Sequence, residues 1–368
     1  MGKYTSIDDP SAHFHTQLYT GTGPNQDIVN DAHSGNFKPD FLWIKNRTNA
    51  SYGVVVFDSS RGVYHIRYLN TVYGDDADGV DTGQSTVQSF STNGFRGGSS
   101  TNVYVILWIN AASNNYVAWQ WKANGGTSTT TPNGSQTTNN MQMATKHQVN
   151  ADAGFSICMY QGATSYGSFY HGLGVKPDVV MIKSRNAYDW VMYHSALGYT
   201  HTVYPHTDGV GATNTAFFHA EPDATQVYCK DHNSVFRPEG ADKYIAYCWT
   251  EVQGYSKFGK FSGNGSDNGP FVYTGFKPAY LIMKRTDSSG NWVNIDNKRD
   301  PNNVAKHRMF QNLTNADNTT RNYVDLLSNG FKMRNTDVDH NASGATVIFM
   351  AWAENPFVTS TGIPATAR

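Results

Sequence analysis

Apolar residues along this chain come singly, at alternate positions, or in short runs of four to seven, and Gly, Asn, Thr or Pro interrupts nearly every window of a dozen residues. That punctuation leaves no stretch with the 3.6-residue period of an amphipathic helix and predicts short strands separated by turns. The clearest runs sit inside a phrase that occurs three times: "FKPDFLWIKNR" at 37–47, "VKPDVVMIKSR" at 175–185 and "FKPAYLIMKRT" at 276–286. In each, Pro fixes φ, four apolar residues follow (Phe41–Ile44, Val179–Ile182, Tyr280–Met283), and Lys with a nearby Arg ends the run. An uninterrupted apolar quartet so bounded predicts a central strand covered on both faces.

Other landmarks repeat in the same order. An aromatic-Gly turn precedes each phrase ("YTGTG", "YQGATSYG", "FSGNG"), and an aromatic strand closes each repeat: "YVAWQW" to Trp121, "YIAYCW" to Trp249 and "VIFMAW" to Trp352. Between them, "SFSTNGFR" at 89–96, "KDHNSVFR" at 230–237 and "LLSNGFKMR" at 326–334 carry an Asn-Gly or Asn-Ser turn of the kind that closes hairpins. D-x-x-R occurs at Asp58/Arg61 and Asp296/Arg299, whereas the middle repeat reads "WVMYHSALG". Threefold repetition in modules of about a hundred residues predicts an all-β protein of three tandem antiparallel β-sandwich modules, jelly-roll-like in kind. The expected boundaries are 1–124, 155–254 and 255–356, with a polar linker at 125–154 that adds a strand in its second half, and a C-terminal tail at 357–368. The closing strands are expected to form the opposite face of each module's own core, and the short "EVQGYSKFGK" joint argues that modules two and three pack together rather than swing freely.

Composition narrows the function classes. Charged residues make up 15% of the chain, against roughly 25% in an average globular protein, and Tyr (22), Phe (19) and Gly (34) take their place. A formal net charge of −1 without basic blocks gives no footprint for nucleic acid. No apolar run approaches a membrane span and the first residues carry no signal-type apolar core, so the expectation is a chain folded in a cytosol. Cys158, Cys229 and Cys248 lack metal-ligand spacing and are expected as reduced core thiols. Trp43, Trp119, Trp121, Trp249 and Trp352 are expected in the core, and the repeated Trp190 and Trp292 in packing.

The phrases "IDDPSAHFHTQLYTGTG…FKPDFLWIKNR", "NADAGFSICMYQG…VKPDVVMIKSR" and "FSGNGSDNGPFVYTGFKPAYLIMKRT…LLSNGFKMR…AWAENPF" resemble a family of bacteriophage virion proteins frequent in phages of marine bacteria and cyanobacteria, through Phe357. The resemblance implies a tail or structural protein, assembled in the host cytoplasm, oligomeric in the particle and in contact with other virion proteins; it brings no catalytic residues.

Enzyme signatures are absent: there is no G-x-S-x-G elbow, H-E-x-x-H helix or Walker loop. Asp58/Arg61 and Asp296/Arg299 read as a repeated turn or salt bridge rather than a catalytic pair. "GDDADGVDTG" at 74–83 places Asp76, Asp78 and Asp81 in one loop, the candidate site for Ca2+, without EF-hand spacing. "YHSALGYTHTVYPHTDG" at 193–209 concentrates aromatic and polar side chains, and Tyr199, His201, Tyr204, His206 and Asp208 are the candidate ligand-binding residues, either as a platform for sugars or as ordinary cross-strand pairs. The functional expectation is a non-enzymatic, tail-associated adhesin for host surface glycan. The rivals are a capsid-decoration or tail-shaft component without a ligand site, and a polysaccharide depolymerase.

Overall fold

A computed structural model describes residues 4–32, 37–63, 65–72, 86–98, 108–124, 126–130, 141–162, 166–237 and 243–365. The chain is all-β, and among the described residues the sheets are antiparallel except for one parallel pairing. Each repeat builds one large and one small sheet. The large sheets centre on the closing strands Asn115–Trp121, Lys243–Trp249 and Thr346–Pro356, each hydrogen-bonded between the first strand of its repeat (Phe14–Thr20, Phe155–Gln161, Ser256–Ser262) and the phrase strand (Phe41–Asn46, Val179–Ser184, Phe276–Arg285). In every repeat the first strand pairs with the last and the second with the last but one in the small sheet, the wrap-around pairing of a jelly roll. The closing strand therefore lies beside the phrase strand in one sheet, not across the core from it as its aromatic content suggested.

Phrase strands are buried along both faces, as their apolar quartets predict. One face packs on the small sheet of the same repeat. Leu42 and Ile44 meet Ile28, Val87 and Phe95 in the first repeat, with separate clusters of the same kind in the second and third. The other face does not close a core of its own. Phe41, Trp43, Trp119, Trp121, Phe155, Met181, Trp249, Tyr280, Ile282 and Trp352 belong to a single cluster shared by all three large sheets. At its centre the closing-strand tryptophans form a triangle, with centroid separations of 5.1 Å (Trp121–Trp352), 6.2 Å (Trp121–Trp249) and 6.3 Å (Trp249–Trp352), every pair edge-to-face. Equivalent residues from three repeats meeting at one point define a pseudo-threefold axis. The expected tandem modules thus share one core, because each large sheet carries two apolar faces and only one is covered within its own repeat.

Buried polar groups clasp the repeats in a ring. Asp58, Asp296 and His194 occupy equivalent positions, opposite Phe41, Tyr280 and Val179. Asp58 Oδ2 binds Arg61 Nε and accepts from Tyr247 Oη of the second repeat at 2.7 Å. Asp296 Oδ2 binds Arg299 Nε at 2.6 Å and accepts from Trp119 Nε1 of the first at 3.1 Å. His194 Nε2 reaches the Phe349 carbonyl of the third at 3.3 Å, while its Nδ1 accepts from Ala196 N. A second ring uses the phrase lysines. Lys45 Nζ donates to Leu313 O (2.7 Å), Lys183 Nζ to Val72 O (3.1 Å) and Lys284 Nζ to Asp208 O (3.2 Å), each in the neighbouring repeat. Burial pulls Lys45 down to about 7 and Lys284 to about 8.

Local departures from the expected layout have physical reasons. The stretch 125–154 is more than a linker: Thr145–Asn150 pairs antiparallel with Phe155–Gln161, Ser128–Thr130 extends the same sheet, and Met141–Met143 joins the small sheet in parallel. Its polar composition suits a strand that covers a sheet edge rather than a core. The tail is held too, since Asp8 accepts from Ser360 N at 2.6 Å and Ala365 N donates to Phe357 O. Gly94 and Gly330 enter the small-sheet strands through Asn-Gly turns, and a Cβ on either would sit about 2.0–2.1 Å from a carbonyl of the adjoining strand. The middle phrase "DHNSVF" is instead a turn after the strand Gln226–Cys229, closed by Phe236 N donating to His232 O.

Candidate functional site

The five ligand candidates of the second repeat do not converge on one pocket. His206 Nε2 meets Asp189 Oδ1 at 3.2 Å, and the Tyr204 and His206 rings lie edge-to-face at 5.9 Å. His201 turns instead to Thr200 and Thr213, its ring nitrogens 3.1 and 3.3 Å from their hydroxyls. Tyr199 is half-buried against the core of the second repeat, with its amide donating to Glu221 Oε1. Asp208 is exposed. The backbone of this segment docks one repeat onto the next. The carbonyls of Tyr204, Pro205 and Asp208 accept from Trp292 Nε1 (2.9 Å), Gln311 Nε2 (3.2 Å) and Lys284 Nζ of the third repeat. Trp190 does the same at the preceding interface, donating to Tyr68 O at 3.1 Å.

The candidate calcium residues Asp76, Asp78 and Asp81 lie outside the described residues. Among the described residues no group of three His, Cys, Asp or Glu side chains is placed to hold a metal. The three cysteines are buried and unbridged, as expected of core thiols, and burial raises the Cys229 and Cys248 thiols well above their usual range.

A different site comes from the interface between the third and first repeats. There a cleft of about 270 Å³ is lined by the first strand of repeat one and by the turn and closing strand of repeat three. Alternation along Phe14–Thr20 sends Phe14 toward repeat three, where it stacks on Tyr280 and Trp352 at 5.6 and 5.7 Å and forms the apolar floor with Ala279 and Ala353. Thr16 follows on the same face. It is only 3% exposed, and its hydroxyl has no hydrogen-bond partner among the described residues.

The rim is polar. Asp31 takes His15 Nε2 at 2.8 Å and Lys298 Nζ at 3.1 Å, while Asn297 Nδ2 donates to Glu354 Oε2 at 2.7 Å and Lys277 Nζ stands 3.6 Å from Glu354 Oε1. Burial lowers His15 more than the Asp31 charge raises it, so its ring is neutral near pH 7 and donates from Nε2. For Asp31, partial burial pushes upward, but the Lys298 hydrogen bond and charge together with His15 outweigh it and leave the carboxyl below its usual range. Ser11 Oγ is committed to Asp9 at 2.6 Å, so the serine is not wired to His15 as a nucleophile would be. What the cleft offers is carboxylate, carboxamide and ammonium groups side by side over an apolar floor.

The pseudo-threefold relation makes this cleft one of three. At the first-to-second interface the positions of Asn297 and Lys298 are held by Ser59 and Ser60, and Gln148 of the added strand covers them, donating at 3.0 and 2.6 Å. At the second-to-third interface they are Ser195 and Ala196, and Lys260 Nζ reaches Ala196 O at 3.0 Å. There Glu251, equivalent to Glu354, turns inward onto Phe258 N and Lys257. The chain fills two of the equivalent places with its own side chains and lines the third with Asn297, Lys298 and Glu354. Thr16 and these three residues are not singled out by the sequence pattern. The available signal was the change from "FDSSRG" and "YHSALG" to "IDNKRD".

One family, described as a domain of unknown function (DUF7483), matches residues 9–356. No curated protein and no solved structure matches the chain.

Proposed function

The chain belongs to the DUF7483 family, and we propose that it is a non-enzymatic phage virion protein, a tail-associated adhesin that binds host surface glycan. The threefold phrases that resemble virion proteins support the virion assignment. The observation that carries the binding role is the shared core with its polar inter-repeat cleft, which gathers hydrogen-bonding groups from the strands Phe14–Thr20 and Thr346–Pro356 and from the Asn297–Lys298 turn between them. Attachment works through many weak contacts: each chain offers a shallow polar site, and copies assembled in the particle multiply it, so avidity replaces single-site affinity. The low charge and high Tyr, Asn, Ser, Thr and Gly content suit an adaptable polar contact surface.

Immunogold electron microscopy of intact particles, with antibody raised against this chain, tests the reading. Label at the tail tip or fibres is expected. Label confined to the capsid or tail shaft would replace the adhesin by a decoration or shaft component, and steady release of new reducing ends from host surface polysaccharide by the purified protein would replace it by a depolymerase.

A further inference from the structure

We propose that the cleft between the third and first repeats is a saccharide subsite for a neutral or amino sugar, with Asn297, Lys298 and Glu354 binding ring hydroxyls, the Thr16 hydroxyl completing the inner wall, and Phe14 packing beneath the sugar's C–H face. This rests on the adhesin reading and gives that reading a place and a ligand class.

Three observations carry it. The first is internal comparison. Where the other two interfaces bring Gln148 or Lys260 across the equivalent turn, the third leaves a cavity of about 270 Å³, just below the roughly 300–1,000 Å³ of drug-sized ligand sites and so suited to a single sugar ring. The second is the Thr16 hydroxyl, buried in the cleft wall without a partner among the described residues. A buried hydroxyl left unpaired carries a desolvation cost in the free protein, which a ligand hydrogen-bonded to it would offset. The third is the chemistry of the lining. Paired carboxylate and carboxamide oxygens accept from vicinal hydroxyls, an ammonium donates to them, and a floor of Phe14, Ala279 and Ala353 meets the apolar face of a pyranose.

Charge sets the specificity. Asp9, Asp31 and Glu354 face Lys298, the rim Lys277 and a neutral His15, so three carboxylates against two ammoniums leave the site with one net negative charge, which disfavours uronic and sialic acids.

The test is saturation-transfer NMR of the full chain with a panel of methyl hexosides, methyl N-acetylhexosaminides, methyl glucosaminide and methyl glucuronide through the millimolar range. Thr16→Val and Asn297→Ala are compared with the unsubstituted protein. At least one neutral or amino glycoside is expected to bind saturably, both substitutions weaken it about tenfold or more, and the glucuronide stays silent. Thr16→Val keeps the side-chain shape, and retention of the native circular dichroism spectrum in both variants shows that lost binding is not lost folding. Binding unchanged by both substitutions, or a glucuronide that binds as well as the neutral sugars, overturns the cleft while leaving the adhesin reading in place. Silence from the whole panel also overturns it, and the particle location then decides the adhesin reading independently.

Discussion

Replacing Asp58 by Ala tests whether the repeats are one folding unit held by buried clasps. The carboxylate is fully buried and serves Arg61 Nε within its own repeat and Tyr247 Oη, 2.7 Å away, in the next. The substitution removes a hydrogen bond to a charged acceptor, worth about 1.5–3 kcal/mol. It also takes this carboxylate away from the buried Arg61 guanidinium, and deleting one partner of a buried pair costs about 3–5 kcal/mol. These contributions overlap, so the expected loss is about 3–5 kcal/mol, a large share of the roughly 5–15 kcal/mol that keeps a typical protein folded. Asp27→Ala is the control. Its partner Arg96 is 3.0 Å away, but both side chains are exposed (67% and 38%), and such surface pairs contribute about 0–1 kcal/mol.

Equilibrium urea unfolding followed by tryptophan fluorescence measures both variants. Because Trp121, Trp249 and Trp352 share one cluster, a single transition is expected in each, with the Asp58→Ala midpoint shifted down and the slope unchanged. A cost below about 1 kcal/mol, no larger than the control's, would falsify the clasp. A separate early transition carrying part of the amplitude would show instead that the repeats unfold independently and that the shared core does not couple them.

Two further outcomes follow from the same structure. Burial holds His171, His194 and His340 at about 4, below the ordinary 6.5. The unfolded chain therefore binds protons that the folded chain refuses, and stability, complete above pH 6.5, falls as pH drops toward 4 with a slope of at least about 1.4 kcal/mol per pH unit where several of these groups titrate together. Asp317, held at about 2 in spite of burial by the Arg299, His307 and Arg47 charges, adds its own loss only below the ordinary carboxylate range; urea midpoints that are flat from pH 6.5 to 4.5 would contradict the buried neutral imidazoles. Thr16→Val replaces an unpaired buried hydroxyl with a methyl group of the same shape and is expected to stabilise the free protein by about 1 kcal/mol, read as a higher Tm by differential scanning calorimetry; a lowered Tm would mean that the hydroxyl already has a partner.

The repeats and their central strands were legible because Pro, an apolar quartet and a terminal Lys make a pattern that recurs at the same place in each copy. The D-x-x-R pairs were legible as ion pairs for the same reason. Their partners across the interface were not. Tyr247 and Trp119 read as apolar members of an aromatic strand, and nothing in local sequence says that a hydroxyl or indole N–H will meet a carboxylate far along the chain. A strand was legible in the second half of 125–154, but polarity hid its bounds and partners: Thr145–Asn150 covers an edge, so Lys146 can face solvent while His147 and Gln148 are buried between polar neighbours. The segment 199–208 stands out in sequence through its rings and histidines, yet its backbone carbonyls do the docking, and carbonyls leave no trace in composition.

The middle repeat, which lacks the D-x-x-R pair, shows how the copies diverged. Asp58 and Asp296 each need a donor from the next closing strand, and Tyr247 and Trp119 supply it at equivalent positions. The corresponding residue of the third repeat is Met350, which has no hydrogen to donate. An aspartate at position 194 would therefore be buried there with neither that donor nor an arginine three residues on, since Leu197 stands in place of Arg61 and Arg299. His194 resolves both deficits as a neutral ring, donating from Nε2 to the Phe349 carbonyl and accepting at Nδ1 from Ala196 N, and burial keeps it uncharged. The three interfaces are thus matched pairs rather than copies, and exchanging one repeat for another would break two of them at once. The same divergence accounts for the cleft at the third-to-first interface: Asn297 and Lys298 stand where Ser59 and Ser60 lie under Gln148 and where Ala196 receives Lys260.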